Sequence, residues 1–260
     1  MNMARSQRQR LIMITSLLRI IWKMLSIIDL ILYTAWIYVL TFLPHAFRNR
    51  IYPKRFQRWC QIFCKALNVK LHVHEHYQGQ LPEKYIVIAN HPSLFEDIGM
   101  PAIFNAKFLS KAEVRNWWIG GRIAEAAGTL FFNREDKAAR KQARIDIKNT
   151  IGAGHSIGLY PEGGCKGRRI YTPFTHGAFD LSIETNTPII PVFIYYEAQA
   201  TFEWQNQTVL QKIWQIFTAR NAHAHYYIYD PIYPQQFTHS EHLRHHVETF
   251  YRNMEVRLLM

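Results

Sequence analysis

The stretch Tyr85–Gly99, YIVIANHPSLFEDIG, ends an apolar run on Asn90-His91-Pro92-Ser93 and then places Glu96 and Asp97 five and six residues beyond the histidine. Those residue types suit proton transfer. A neutral imidazole near pH 7 takes a proton from a hydroxyl, and a carboxylate behind it fixes the tautomer and stabilises the imidazolium. On a helix two consecutive side chains point about 100° apart, so Glu96 and Asp97 cannot face His91 equally. Glu96 has the longer reach. However, Ser93-x-x-Glu96 also fits a capping box, which would draw the Glu96 side chain to a backbone amide. Both acids stand as partners for His91, with Glu96 slightly favoured. Taken alone, the turn also fits a structural histidine.

Three other apolar runs end on polar groups. GTLFFNR, Gly128–Arg134, ends on a cation that can grip a phosphate through two parallel hydrogen bonds. GLYPEGGCKGRR, Gly158–Arg169, ends on Glu162, two glycines and a basic cluster. Gly163 and Gly164 let backbone amides approach an anionic oxygen closely. Lys166, Arg168 and Arg169 suit phosphate groups, or form an ordinary solvated charge run. Glu162 either braces its loop or meets substrate. Cys165 lies beside basic residues but nothing in the sequence pairs it with a base, so it is read as no nucleophile. TPIIPV, Thr187–Val192, is bracketed by prolines.

These four stretches, in this order, resemble the blocks of the glycerolipid acyltransferase family: Asn-His-x4-Asp, Gly-x-x-Phe-Ile-x-Arg, Phe-Pro-Glu-Gly-Thr-Arg and Val-Pro-Ile-Val-Pro-Val. PFTHGAF, Pro173–Phe179, is similar to the segment between the last two blocks, and the resemblance covers about residues 55–200. It implies acyl transfer from acyl-CoA or acyl carrier protein to the free hydroxyl of a lysophospholipid, 1-acylglycerol-3-phosphate first, with no metal and no bound cofactor. It implies His91 as base, Glu96 at the position of the family's acid, and Arg134 with the loop after Pro161 on phosphate. Two departures stand out: Glu96 is one methylene longer than the usual Asp, and Gly164-Cys165 replaces Thr-Arg. The second keeps open another lyso-lipid acceptor, such as a lyso-ornithine lipid. A non-catalytic lipid-binding protein on the same fold is the rival from another class.

The elements that must position these groups follow from periodicity. Phe56–Leu67, Pro92–Ile103, Asp136–Thr150, His176–Thr185 and Ser240–Leu258 read as helices. Val69–His74, Tyr85–Ala89, Gly128–Phe132, Ser156–Tyr160, Ile189–Tyr195 and Ala224–Tyr229 read as strands. Their alternation predicts an α/β fold with a mixed, largely parallel sheet flanked by helices, and in such sheets chemistry gathers where strands end. His72, His74 and His76 share one strand face and are read as structural or exposed, since the sequence offers them no further ligand. Phe202–Phe217 reads as an amphipathic insert.

Residues 11–43 form an apolar run interrupted by Arg19, Lys23 and Asp29. It is too long for a secretory signal, and Met24–Leu43 alone matches the roughly 20 residues that a span needs. Basic residues flank both ends, and the positive-inside rule would keep both on one side. The expectation is a membrane-associated helical hairpin over residues 1–50, with a single span as the alternative, followed by an α/β domain over 51–260. Lys and Arg total 31 against 19 Asp and Glu, a surplus that draws anionic partners. Beside an apolar run, anionic lipid at the cytoplasmic face of a bacterial inner membrane is the simplest partner. No nucleic-acid-binding pattern occurs. Three cysteines without framework spacing argue against a disulfide-stapled domain.

Overall fold

The computed structural model describes residues 2–133, 136–205 and 207–259, with side chains described from residue 13 onward. Helices α1 (Asn2–Leu40) and α2 (His45–Ala66) precede β1 (Lys70–His76), β2 (Ile86–Ala89), α3 (Glu96–Ile103) and β3 (Lys107–Lys111). Two short helices follow, α4 (Ala112–Arg115) and α5 (Gly120–Ala126), then β4 (Leu130–Phe132), α6 (Lys137–Gly152), β5 (Ile157–Leu159), α7 (Gly177–Thr185) and β6 (Ile189–Tyr196). The chain continues through α8 (Gln199–Phe202), α9 (Val209–Thr218), β7 (His223–Tyr229) and a 3-10 turn (Pro234–Gln236) to α10 (Ser240–Leu259).

Among the described residues the sheet has seven strands in the order β1-β7-β6-β2-β5-β3-β4. Every neighbouring pair is parallel except β6 and β7. The expected α/β architecture therefore holds. β2 and the first half of β6 are apolar throughout because both faces are covered. Val87, Ala89, Ile190, Val192 and Ile194 pack under α2 and α3. Ile86, Ile88, Ile189 and Phe193 pack under α6, α7 and α10. Pro191 has no N–H for the ladder, and it sits opposite Ile88. There the Tyr251 hydroxyl of α10 lies 2.9 Å from the carbonyls of Ile88 and Val192, filling the ladder with a side chain. Strand β3 has no counterpart in the sequence-based reading. Its residues, KFLSK, are short and largely polar, and it becomes a strand by pairing with β5 and β4.

The helical hairpin expected over residues 1–50 has longer arms. Helix α1 runs through Arg19 and Lys23, and the chain turns at Thr41–Pro44. The Lys23 ammonium donates to the Phe217 carbonyl at 3.2 Å and lies 4.5 Å over the Phe217 ring, so its charge is partnered without breaking the helix. The second arm is α2, so residue 50, the expected boundary, falls inside a helix. The arms are tied by Tyr52 donating to the Ile37 carbonyl (3.3 Å) and Trp59 donating to Thr34 Oγ1 (2.8 Å). Among the described residues one helix is long and apolar enough to cross a membrane: Met13–Leu40, 28 residues with mean hydropathy 1.7. Leu17, Leu18, Met24, Ile31, Leu32 and Val39 on it are all exposed.

Candidate active site

Strands β2, β5 and β6 run parallel, so their carboxyl ends meet at one edge of the sheet. Pairing stops at Ile88↔Leu159 and Ala89↔Val192. The next residues of β2 are Asn90 and His91. Asn90 acts as one more ladder rung: its amide donates to the Ile194 carbonyl (2.9 Å), and its Oδ1 accepts from the Ile194 amide (2.7 Å). The backbone can then leave the strand with His91 fixed beside β5. The His91 ring stacks on Tyr160, the residue that follows β5, with centroids 4.1 Å apart and 12° between planes.

Helix α3 starts at Glu96 rather than at Pro92, because Ser93–Phe95 form a separate turn in which Ser93 Oγ accepts from the Phe95 amide (3.1 Å). Only half of the expected capping box forms, Glu96 Oε2 accepting from the Ser93 amide at 2.8 Å. The same Oε2 lies 2.7 Å from His91 Nδ1. Capping and orientation of the histidine thus share one oxygen, and the other oxygen, Oε1, accepts from the Tyr196 hydroxyl at the end of β6. Glu96 is 0% exposed and His91 6%. Burial pushes the Glu96 carboxyl well up from its ordinary range, while the Tyr196 hydroxyl and the Ser93 amide pull it back. Three donors converging on two oxygens favour the ionised form. An ionised Glu96 accepts a hydrogen bond from His91 Nδ1–H, which leaves Nε2 as an acceptor. Asp97, the alternative acid, is exposed at the rim of the adjoining cavity, and Glu96 is the acid that meets His91.

The loop after β5 crosses the same edge. Gly163 turns with φ +74°, a conformation side chains rarely adopt, and its amide closes a turn on the Tyr160 carbonyl (3.1 Å). The turn directs Glu162 inward. Its carboxyl is 4% exposed, and burial, with Glu96 and Glu255 nearby, raises it to about 8 despite the His91 amide and Lys166. Gly164, Cys165 and Lys166 line the cavity beside His91, and the Lys166 amide donates to the His91 carbonyl (3.3 Å). Burial pushes the Cys165 thiol up, which disfavours its thiolate. Arg168 is turned away from that cavity. It pairs with Glu203 at 2.9 Å and donates to Gln199 Oε1 at 2.9 Å, bracing α8. Arg134 lies outside the described residues; the strand that leads to it, β4, ends at Phe132 on the same edge of the sheet.

From His91 a cavity of about 650 Å³ extends beneath the N-terminal hairpin. Phe56 and Trp59 of α2, Leu94, Ile98, Phe108 and Trp117 give it apolar walls, while Lys107, Lys111 and Lys166 add positive charge. Tyr160, Tyr196 and Asn90 were not singled out from sequence. The first two reach His91 and Glu96 only through strand pairing, and no spacing along the chain announces that. His223, His225 and Glu197 likewise come beside His72 only in the folded sheet.

Residues 70–195 match the family model described as Acyltransferase. A 1-acyl-sn-glycerol-3-phosphate acyltransferase of Neisseria gonorrhoeae is 25% identical over 115 residues, 44% of this chain and 45% of that protein. The match thus spans less than half the length of that relative. A lyso-ornithine lipid O-acyltransferase of Pseudomonas aeruginosa is 26% identical over 214 residues, 80% of this chain and 81% of that protein. The crystal structure of the 1-acyl-sn-glycerophosphate (LPA) acyltransferase PlsC from Thermotoga maritima superposes with a TM-score of 0.67 at 18% identity, covering 94% of this chain and 97% of that one. That likeness is one of fold.

Proposed function

Because the chain belongs to the acyltransferase family, we propose that it transfers a fatty acyl chain from acyl-CoA or acyl carrier protein to the hydroxyl of a membrane lyso-lipid, with 1-acylglycerol-3-phosphate as the acceptor. One observation carries the reading: the buried His91–Glu96 pair opens onto an apolar cavity that runs under a helical hairpin. His91 Nε2 takes the proton of the acceptor hydroxyl as its oxygen attacks the thioester carbonyl. Glu96 stabilises the imidazolium that forms. When the tetrahedral intermediate collapses, the thiolate leaves and takes the proton from His91. The backbone amide of Gly164, beside His91 in the cavity wall, is the donor for the developing oxyanion. Lys166, with Arg134, supplies positive charge for phosphate. The apolar walls hold acyl chain, each buried methylene contributing about 0.8 kcal/mol.

Helix α1 anchors the protein in the membrane where lipid substrate and product both reside. The 28 residues of Met13–Leu40 extend about 42 Å, more than the roughly 30 Å of bilayer hydrocarbon. A second acceptor, lyso-ornithine lipid, is favoured by the longer match to the Pseudomonas relative and by Gly164-Cys165 standing where the family has Thr-Arg. Labelled acyl transfer to a panel of lyso-lipids, with His91→Ala as control, tests the reading. Transfer to 1-acylglycerol-3-phosphate that the variant loses supports it. Preference for lyso-ornithine lipid selects the second acceptor, and transfer that survives His91→Ala overturns the mechanism.

A further inference from the structure

The edge of the sheet carries a second group of imidazoles. β1 is the terminal strand and pairs with β7 in the register His72↔His225 and His74↔Tyr227. In β7, Ala224, Tyr226 and Ile228 turn into the core, so His223 and His225 share the opposite face with His72 and His74. The ring of His72 stacks against those of His223 and His225 at 5.0 and 4.7 Å. Glu197 follows directly on β6 and reaches the same face.

We propose that His72, His223, His225 and Glu197 form a binding site for a divalent transition-metal ion of the zinc class, which cross-links β1, β7 and the end of β6. Each histidine offers one ring nitrogen, and these nitrogens all lie within 4.8 Å of one another. Zinc binds histidine nitrogen and carboxylate oxygen at about 2.0–2.2 Å, so donors at the corners of its tetrahedron stand about 3.3–3.6 Å apart. Three donor separations are already close to that: His72 Nε2 to His223 Nδ1 is 3.2 Å, His223 Nδ1 to Glu197 Oε1 is 3.4 Å, and His225 Nε2 to Glu197 Oε1 is 3.1 Å. Small side-chain rotations close the remainder. The support behind the donors is also in place. His74 Nε2 lies 2.9 Å from His225 Nδ1, which commits that nitrogen and leaves Nε2 to the ion.

Three imidazoles and one carboxylate suit zinc and its neighbours better than magnesium or calcium. With four protein donors the site is closed, so its role is structural. It fastens a terminal strand that otherwise has one neighbour. It also fixes Glu197, the residue next to Tyr196, whose hydroxyl holds the buried Glu96.

The full chain, purified in detergent without a polyhistidine tag, is titrated with Zn²⁺ by calorimetry and with Co²⁺ by visible absorption. One ion per chain is expected, with the intense absorption of tetrahedral cobalt and a rise in the midpoint of thermal unfolding. His225→Gln should weaken Zn²⁺ binding at least tenfold. Glu197→Gln, a change at an exposed residue that leaves the strands intact, should weaken it at least fivefold and shift the cobalt spectrum. His239→Gln with His242→Gln, a pair whose rings lie 4.5 Å apart at the start of α10, should leave it unchanged. Absence of saturable binding, or binding undiminished in both His225→Gln and Glu197→Gln, overturns the proposal.

Discussion

Two histidine–carboxylate pairs sit at the ends of neighbouring strands, and they differ in almost every physical respect. His91 and Glu96 are five residues apart, buried and 2.7 Å apart, with the carboxylate also held by Tyr196 and the Ser93 amide. His225 and Glu197 are 28 residues apart, with Glu197 exposed, and meet at 3.1 Å among other imidazoles. The first pair isolates a single imidazole beside an apolar cavity, the setting of a base. The second gathers several imidazoles around one carboxylate, the setting of a ligand cluster. The same two residue types thus acquire different chemistry from burial and from their neighbours. Tyr196 and Glu197 are consecutive, so a single strand end serves both.

The sharpest break in that comparison is His91→Ala, which should lower kcat for acyl transfer by about 10²–10⁴-fold, the usual worth of a positioned general base. Fold retention by circular dichroism checks that only the chemistry is lost. Next comes the acid. Glu96→Gln should cost about 10²-fold in kcat, because the amide holds the imidazolium less well and can fix the wrong tautomer. Asp97→Asn should cost less than about tenfold. Equal losses from the two would undo the assignment of Glu96.

A third, smaller effect concerns stability. Glu162 is raised from 4.5 to about 8 in the folded protein. Between these values the folded state binds more protons than the unfolded one, so stability falls as pH rises from about 4.5 to 8 and then levels off. Glu162→Gln should remove that slope and raise stability at pH 8 by the order of a few kcal/mol, since each pH unit between the two values is worth roughly 1.4 kcal/mol. Thermal midpoints at pH 5 and pH 8 read the difference, and an unchanged slope counts against a buried, protonated Glu162. The smallest effect is expected of Arg168→Ala. Its ion pair with Glu203 is partly exposed, so the loss should be within about 1 kcal/mol. The KM for acceptor should stay within about twofold, since the guanidinium faces α8; a large rise would return Arg168 to the phosphate site.

Periodicity made much of the scaffold legible. The apolar run before Asn90, the run before Pro161 and the proline-bracketed β6 all form neighbouring strands. Strand β3 was not legible, because KFLSK carries two lysines and a serine and draws its strand conformation from β5 and β4. The start of α3 was misplaced by several residues because Ser93 bonds the Phe95 amide and not that of Glu96. That the second arm of the N-terminal hairpin is α2 was not legible, because the ties between the arms, Tyr52 to Ile37 and Trp59 to Thr34, join residues 15 and 25 apart.

Types and spacing along the chain determined that a histidine would end a buried strand with an acid in reach, that glycines would follow the β5 proline, and that a long apolar segment would lead the α/β domain. Those are local properties, set by backbone conformation and side-chain periodicity over a few residues. Only the tertiary structure decided that Glu96 meets His91 while Asp97 stays exposed, that Tyr196 fixes the carboxylate, and that His223 and His225 meet Glu197 beside His72. Each of these depends on strand order and register, which bring together groups that sequence separation keeps apart.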